Sequence, residues 1–380
     1  MSKQTRVAVM NADHYEPGIL DERIGQLFAL TGADQLISPG MNILIKPNLL
    51  LKRTPEEATT THPQVVAAVV RRVKALGAGS VTIADSPGGL YTKQALAGIY
   101  EATGMAAAAK ETGARLNDDF TFFEHPFPQG RTAKSFELIT PVKQADLIIS
   151  IAKMKTHCMS TLSGGVKNLF GCIPGLQKPG LHYRFPEKPQ FCDMLIDLAL
   201  AVAPAFTIVD GILAMEGNGP SGGTPKHVGV LAASQNPFAL DLALCKIMNI
   251  SPEEVYTVQN AIERGLCPSR PEELELVGDP LKIVKDYKKP DNRSLDFVER
   301  MHPVIRPVMR VIRDKLIMPK PFIDREKCVG CGKCAESCPP KTIRIVDKKA
   351  KIGYNHCIKC YCCHEMCPVR AIEIKRSRFF

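Results

Sequence analysis

Eight cysteines near one end of the chain fall into two runs of identical spacing. Cys328, Cys331, Cys334 and Cys338 recur 29 residues later as Cys357, Cys360, Cys363 and Cys367. Both runs read C-x2-C-x2-C-x3-C-P, with Pro339 matched by Pro368, Ile343 by Ile372 and Ile345 by Ile374. Three thiolates spaced three apart wrap one iron–sulfur cube, and the fourth, after a short helical step, reaches the other. The expected ligand sets are therefore Cys328, Cys331, Cys334 and Cys367 for one cluster, and Cys338, Cys357, Cys360 and Cys363 for the second. Zinc prefers two C-x2-C pairs set well apart and gains nothing from a third cysteine three further on. Cys362 is out of register and is read as an ordinary thiol. Two [4Fe–4S] clusters imply one-electron chemistry, and ligand exchange between the runs holds the cubes close enough to pass an electron.

A second constellation lies upstream, at the ends of apolar runs. Lys46 and Asn48 close NILIKPN, and Asp85, Ser86, Gly88 and Gly89 follow SVTIA. Lys153, Lys155 and His157 follow DLIISIA, then come Gly164, Gly165, Lys167, Asn168 and Gly171, with His182 shortly after. Asp210 and Glu216 flank GILAM, and Asp241 sits in a later helical stretch. Singly, each has a plain reading as a solvated charge, a helix cap or a packed histidine. Together, four lysines beside glycine-rich backbone suit an anionic ligand, a carboxylate or a phosphate. His157, Lys155 and His182 are the candidates for proton handling. Lys46, Asn48, Asp85, Lys153, Lys167, Asn168 and Glu216 are the candidates for holding the substrate. GNGPSG (217–222) matches G-x-G-x-x-G, but a proline interrupts it and a strand follows, so it is read as a tight loop and not a nucleotide fingerprint. Cys158 and Cys172 are read as buried inert thiols in preference to a third metal site with the two histidines.

The elements that must position these residues alternate. RVAVM (6–10), NILIKPN (42–48), SVTIAD (80–85), ADLIISIAKM (145–154), FTIVDGILAM (206–215) and VGVLAAS (228–234) read as buried strands. Residues 62–78, 92–114 with a break near Gly104, 191–202, 237–250 and 252–266 read as helices. This alternation predicts an α/β domain around a mostly parallel sheet with flanking helices, whose ligands bind outside the carboxyl ends of the strands. The expected layout is an α/β domain over 1–281, a basic proline-containing connector over 282–323 with one helix around 308–318, and a small α+β ferredoxin-like two-cluster domain over 324–380.

The net charge of +10 is concentrated at the end: 25 Lys+Arg against 28 Asp+Glu in 1–281, 11 against 5 in 282–323, and 13 against 6 in 324–380. A basic tail suits nucleic acid, but clusters held by thiolates are themselves anionic and offset that excess, so no nucleic-acid partner is expected. No apolar run reaches the roughly 20 residues of a membrane-spanning helix, and residues 7–10 are too short for a signal-peptide core. Clustered cysteines in a reducing compartment read as metal ligands, so a cytoplasmic location is expected.

The last 57 residues resemble the bacterial two-cluster ferredoxins. Upstream, IKPN (45–48), ADSPGG (84–89), KMKTH (153–157), LSGGVKNLFG (162–171), EGNGPSGG (216–223) and ALDLALCKIM (239–248) resemble the family labelled domain of unknown function 362 over roughly residues 5–250. That resemblance implies the domain layout and the site candidates, and no reaction. The strand-end His and Lys usage also resembles, distantly, the amino-terminal domain of nickel-pincer lactate racemases. The expectation is an iron–sulfur electron-transfer protein with a redox partner protein. Its α/β domain acts on an anionic substrate as a ferredoxin-linked oxidoreductase, or alternatively serves as a binding module that docks a partner redox enzyme.

Overall fold

Aliphatic runs of strand length, separated by helices with one apolar face, bury both faces of a sheet only when helices cover each side. The computed structural model of the chain has this architecture, and it describes residues 5–291, 301–302, 304–306, 308–309 and 318–375. The strands of the large domain are β1 (Arg6–Asn11), β2 (Asn42–Pro47), β3 (Ser80–Ile83), β4 (Arg115–Leu116), β5 (Phe122–Pro126), β6 (Ser135–Ile139), β7 (Leu147–His157), β8 (Thr161–Ser163), β9 (Phe206–Glu216), β10 (Thr224–Ser234) and β11 (Glu275–Gly278). One sheet runs β11-β1-β10-β9-β7-β2-β3-β4, with β8 folded onto β7, while β5 and β6 form a separate hairpin. Five of its pairings are parallel and three, β1–β10, β9–β10 and β7–β8, are antiparallel.

Strand alternation divides the core in two. On β1, Val7 and Val9 join one apolar layer and Ala8 and Met10 the other. The expected helices are present as Pro63–Ala75, Lys188–Val202, Pro237–Ile247 and Tyr256–Glu263. The long helical stretch breaks at Gly104, whose φ of 76° ends Lys93–Ala102 and starts Met105–Thr112. A helix at Pro17–Thr31, the hairpin, and β4, β8 and β11 were not anticipated. The helix expected around 308–318 falls largely outside the described residues.

The small module has β12 (Lys320–Ile323) paired with β15 (Ile372–Lys375), and β13 (Ile343–Val346) paired with β14 (Lys349–Ile352). Its first strand lies inside the stretch read as connector. The start of that stretch is also tied to the large domain: the Tyr287 hydroxyl donates to the Met215 carbonyl at 2.8 Å, and the Lys288 N–H donates to Glu216 at 3.0 Å.

One polar group inside the sheet is fully satisfied. Asp210 accepts from Lys153 Nζ at 2.7 Å, from the Tyr15 hydroxyl at 2.8 Å and from the His62 N–H at 2.9 Å. Both charges are wholly buried, so removing one strands the other, at about 3–5 kcal/mol. Asp210→Asn should lower the thermal midpoint by on the order of 10 °C. An unchanged midpoint in a melt of the intact protein would contradict this structural role.

Candidate functional site

In the small module, two cavities each collect four cysteines. One is lined by Cys328, Cys331, Cys334 and Cys367 around about 320 Å³ of atom-free space, the other by Cys338, Cys357, Cys360 and Cys363 around about 310 Å³. Each therefore draws three thiols from one run and the fourth from the other. The backbone repeats with the cysteines. Left-handed residues fall at Gly330 (φ 69°), Gly332 (79°) and Lys341 (52°), and again 29 residues on at Lys359 (53°), Tyr361 (60°) and Arg370 (51°). Non-glycine residues adopt this region at a cost and persist there when the surroundings dictate it. Two matched cradles of soft sulfur ligands fit an iron–sulfur cube in each. Among the described residues no group of three or more His, Cys, Asp or Glu side chains closes tightly enough for a single metal ion. Cys362 is buried beside this region, with its thiol held well above the usual range, first by its hydrogen bond to Cys360 and then by burial.

Part of the lysine-rich constellation lines one cavity of about 440 Å³, open mouth included, beyond the carboxyl ends of β2, β3 and β7. Its wall includes Asn48, Asp85, Ser86, Lys155, His157, Ser163, Lys167, Asn168 and Lys178, and Glu365 of the small module. Lys155 Nζ donates to Asn48 Oδ1 at 2.6 Å and to the Thr59 carbonyl at 2.7 Å. Burial pushes this ammonium down to about 7, partly opposed by Glu365. Lys178 donates to the Ser86 and Ile173 carbonyls at 2.6 Å, and burial likewise takes it down to about 7. Lys167 Nζ lies 4.4 Å over the Phe170 ring. A turn of helix at Gly165–Asn168 aims Lys167 and Asn168 inward, and buried Asp241 caps it by accepting from the Gly165 and Val166 N–H groups at 2.6 and 3.1 Å.

His157 is oriented by its own chain. Its Nδ1 accepts the Met159 N–H at 3.0 Å and the Ser160 N–H at 3.4 Å, so the ring proton sits on Nε2. Nε2 has no hydrogen-bond partner among the described residues and stands 4.0 Å from Glu365 Oε2. With both positions thus committed, and with burial and nearby lysines disfavouring charge, the ring stays neutral well below its usual pKa. It presents a hydrogen-bond donor to the cavity, and burial brings both Lys155 and Lys178 near neutrality.

The other candidates lie elsewhere. Lys46 is sealed beneath the cavity floor, paired with Asp85 at 2.7 Å and donating to Asn168 Oδ1 at 3.2 Å. Lys153 faces Asp210, its direct partner in the unbroken part of the β7–β9 register, whereas Lys155 turns to Asn48 and the Thr59 carbonyl. His182 is stacked on Phe191, 4.2 Å between ring centroids, and is not among the lining residues. Glu216 closes β9 at the same carboxyl end but is held by the Lys288 N–H at 3.0 Å and does not line the cavity. Lys178, Ser163 and Glu365 were not anticipated. Glu365 carried no spacing signal, since it lies between two cluster cysteines and reaches the cavity only through domain packing.

Burial makes the cavity's charge depend on pH. Lys155 and Lys178 are protonated below about 7 and neutral above it, so anion affinity should fall as pH rises through neutrality. Calorimetric titration with sulfate, a dianion on both sides of pH 7, would show this, and a flat affinity would contradict it.

The small module is seated by close polar contacts. Arg370 pairs with Glu57 at 2.6 Å, Arg53 donates to the Cys367 carbonyl at 3.2 Å, and the Ser221 hydroxyl donates to the Glu365 carbonyl at 2.9 Å. A Cβ at Gly88 would stand 2.3 Å from Met366 Sδ, and one at Gly222 would stand 2.5 Å from His364 Cε1. The two glycine loops flagged in the sequence thus lie against the module, where a side chain would not fit.

Fold and site together define an α/β domain with a lysine-lined cavity, closed on one side by a ferredoxin-type 4Fe–4S module. The chain belongs to the DUF362 family, the domain of unknown function whose model matches residues 43–246, and it carries a 4Fe–4S dicluster domain matching residues 320–368. It is 33% identical over 293 residues to the thylakoid-associated protein sll1697 of Synechocystis, covering 75% of this chain and 88% of that protein. Among solved structures it is similar to the lactate racemase apoprotein of Thermoanaerobacterium thermosaccharolyticum, with 15% identity, a TM-score of 0.38, and coverage of 64% of this chain and 57% of that one. It is also similar to a Thermotoga maritima protein, with 11% identity, a TM-score of 0.31, and coverage of 54% and 52%. The chain thus spans little more than half of either structure, and likenesses this distant do not bear on its chemistry. Among the described residues no helix is long and apolar enough to cross a membrane.

Proposed function

We propose that the chain is a ferredoxin-linked oxidoreductase that exchanges electrons with a small anionic substrate held in the lysine-lined cavity. The observation that carries this reading is the shared wall: Lys155, Lys167 and Lys178 come from the α/β domain, and Glu365 comes from between cluster cysteines Cys363 and Cys367. Cys328, Cys331, Cys334 and Cys367 would hold one cluster, and Cys338, Cys357, Cys360 and Cys363 the other. Bound clusters supply electrons one at a time, at potentials set by charge, hydrogen bonds and exposure. Exposed Cys331, beside Val329 at 61% exposure, marks the face on which a redox partner protein would dock. In the cavity, Lys167 and Lys178 hold the anion, the His157 Nε2–H donates to a substrate oxygen, and Lys155 gives or takes the proton that accompanies electron transfer. Small carboxylates and phosphates added anaerobically to the reduced and the oxidised holoprotein test the reading through the visible absorbance of the clusters. If no such anion changes the oxidation state of the clusters in either direction, the reading fails.

A further inference from the structure

We infer that Glu365 is the resident counter-ion of the cavity, a carboxylate supplied by the ferredoxin-type module that an incoming anion must displace. This rests on the cavity being an anion site. Three amines face the space, and among the described residues neither Lys155, Lys167 nor Lys178 has a carboxylate within ion-pair distance. Asp85, the other carboxylate on the wall, is already engaged by Lys46 at 2.7 Å and by the Leu49 N–H at 2.9 Å. Glu365 is therefore the one cavity carboxylate not committed elsewhere among the described residues, and it is the leading favourable charge acting on both Lys155 and Lys167.

Glu365 is positioned but not locked. Its main chain is fixed by the Ser221 hydroxyl at 2.9 Å, and neighbouring His364 contacts the Asn218 carbonyl at 3.2 Å. Its carboxylate receives no hydrogen bond from a described residue, the His157 Nε2 contact being long at 4.0 Å. A side chain that is attracted yet unbonded can swing away without a large loss. A role in binding a cationic part of a ligand is disfavoured, because such a group would meet three amines. The module therefore selects among anions: a ligand must outcompete a tethered carboxylate, which favours dianions over monoanions.

Holoprotein of wild type, Glu365→Gln, Glu365→Ala and Lys167→Met, matched for iron content, is titrated with inorganic phosphate in a calorimeter. Removing the competing charge should tighten phosphate binding about fivefold or more in both Glu365 variants, a modest coupling between neighbouring charges, and Lys167→Met should weaken it. Glu365 variants that bind at wild-type strength or more weakly, with the Lys167→Met loss intact, overturn the counter-ion role and leave the anion site standing. Absence of phosphate binding in the wild type and in the Glu365 variants overturns both.

Discussion

Cys338→Ser is expected to cost the cluster whose other three thiolates come from the opposite run, and to leave the cluster nearest in sequence in place. Iron should fall from about eight to about four atoms per chain, since each cube carries four. The cavities assign Cys338 to the set with Cys357, Cys360 and Cys363, and double variants make that assignment testable. Cys338→Ser combined with Cys357→Ser strikes one site twice and should still leave about four irons. Cys338→Ser combined with Cys328→Ser strikes both sites and should leave close to none. Independent sites add and shared sites do not. The reverse pattern would mean that each run closes on its own cluster, and the close pairing of cubes inferred from the crossing would be lost.

Lys155→Met and His157→Ala are the second pair of large effects. Both residues line the cavity and neither is near a cluster cysteine in sequence, so iron content and cluster absorbance should be unchanged. Anion-dependent oxidation or reduction of the clusters should fall by more than about 100-fold in Lys155→Met, which removes both a cation and the group able to exchange a proton near neutrality. His157→Ala removes a neutral donor held in place by two backbone N–H groups, and it should slow the same reaction without shifting its pH dependence. Variants that react as fast as the wild type would show that the cavity is not where the electrons go.

The two-cluster module was legible because ligand spacing is local: eight cysteines and two prolines sit at offsets that only a repeated loop satisfies, and the cavities collect the expected fours. The sheet was legible because fully buried strands must be written as continuous apolar runs. The site was legible only in part. Lys155, His157, Lys167, Asn48, Asp85 and Asn168 were named from strand ends and do share one cavity wall. Lys153 sits two residues from Lys155 in the same strand, yet it lies directly opposite Asp210 on β9 and pairs with it. His182 carries a titratable ring like His157, but aromatic packing on Phe170 and Phe191 claims it. Nothing in one-dimensional spacing distinguishes these pairs.

What the sequence determined by itself was the inventory: which residues have the spacing to bind sulfur-bridged iron, which runs must be buried, and which polar side chains end them. Those properties depend on residue type and on distances of a few positions along the chain. The tertiary structure alone decided which lysines share a space and that Glu365 faces Lys155 and Lys167 across a domain boundary. These follow from strand register and from the seating of one module on another through Gly88 and Gly222, contacts between residues more than a hundred positions apart.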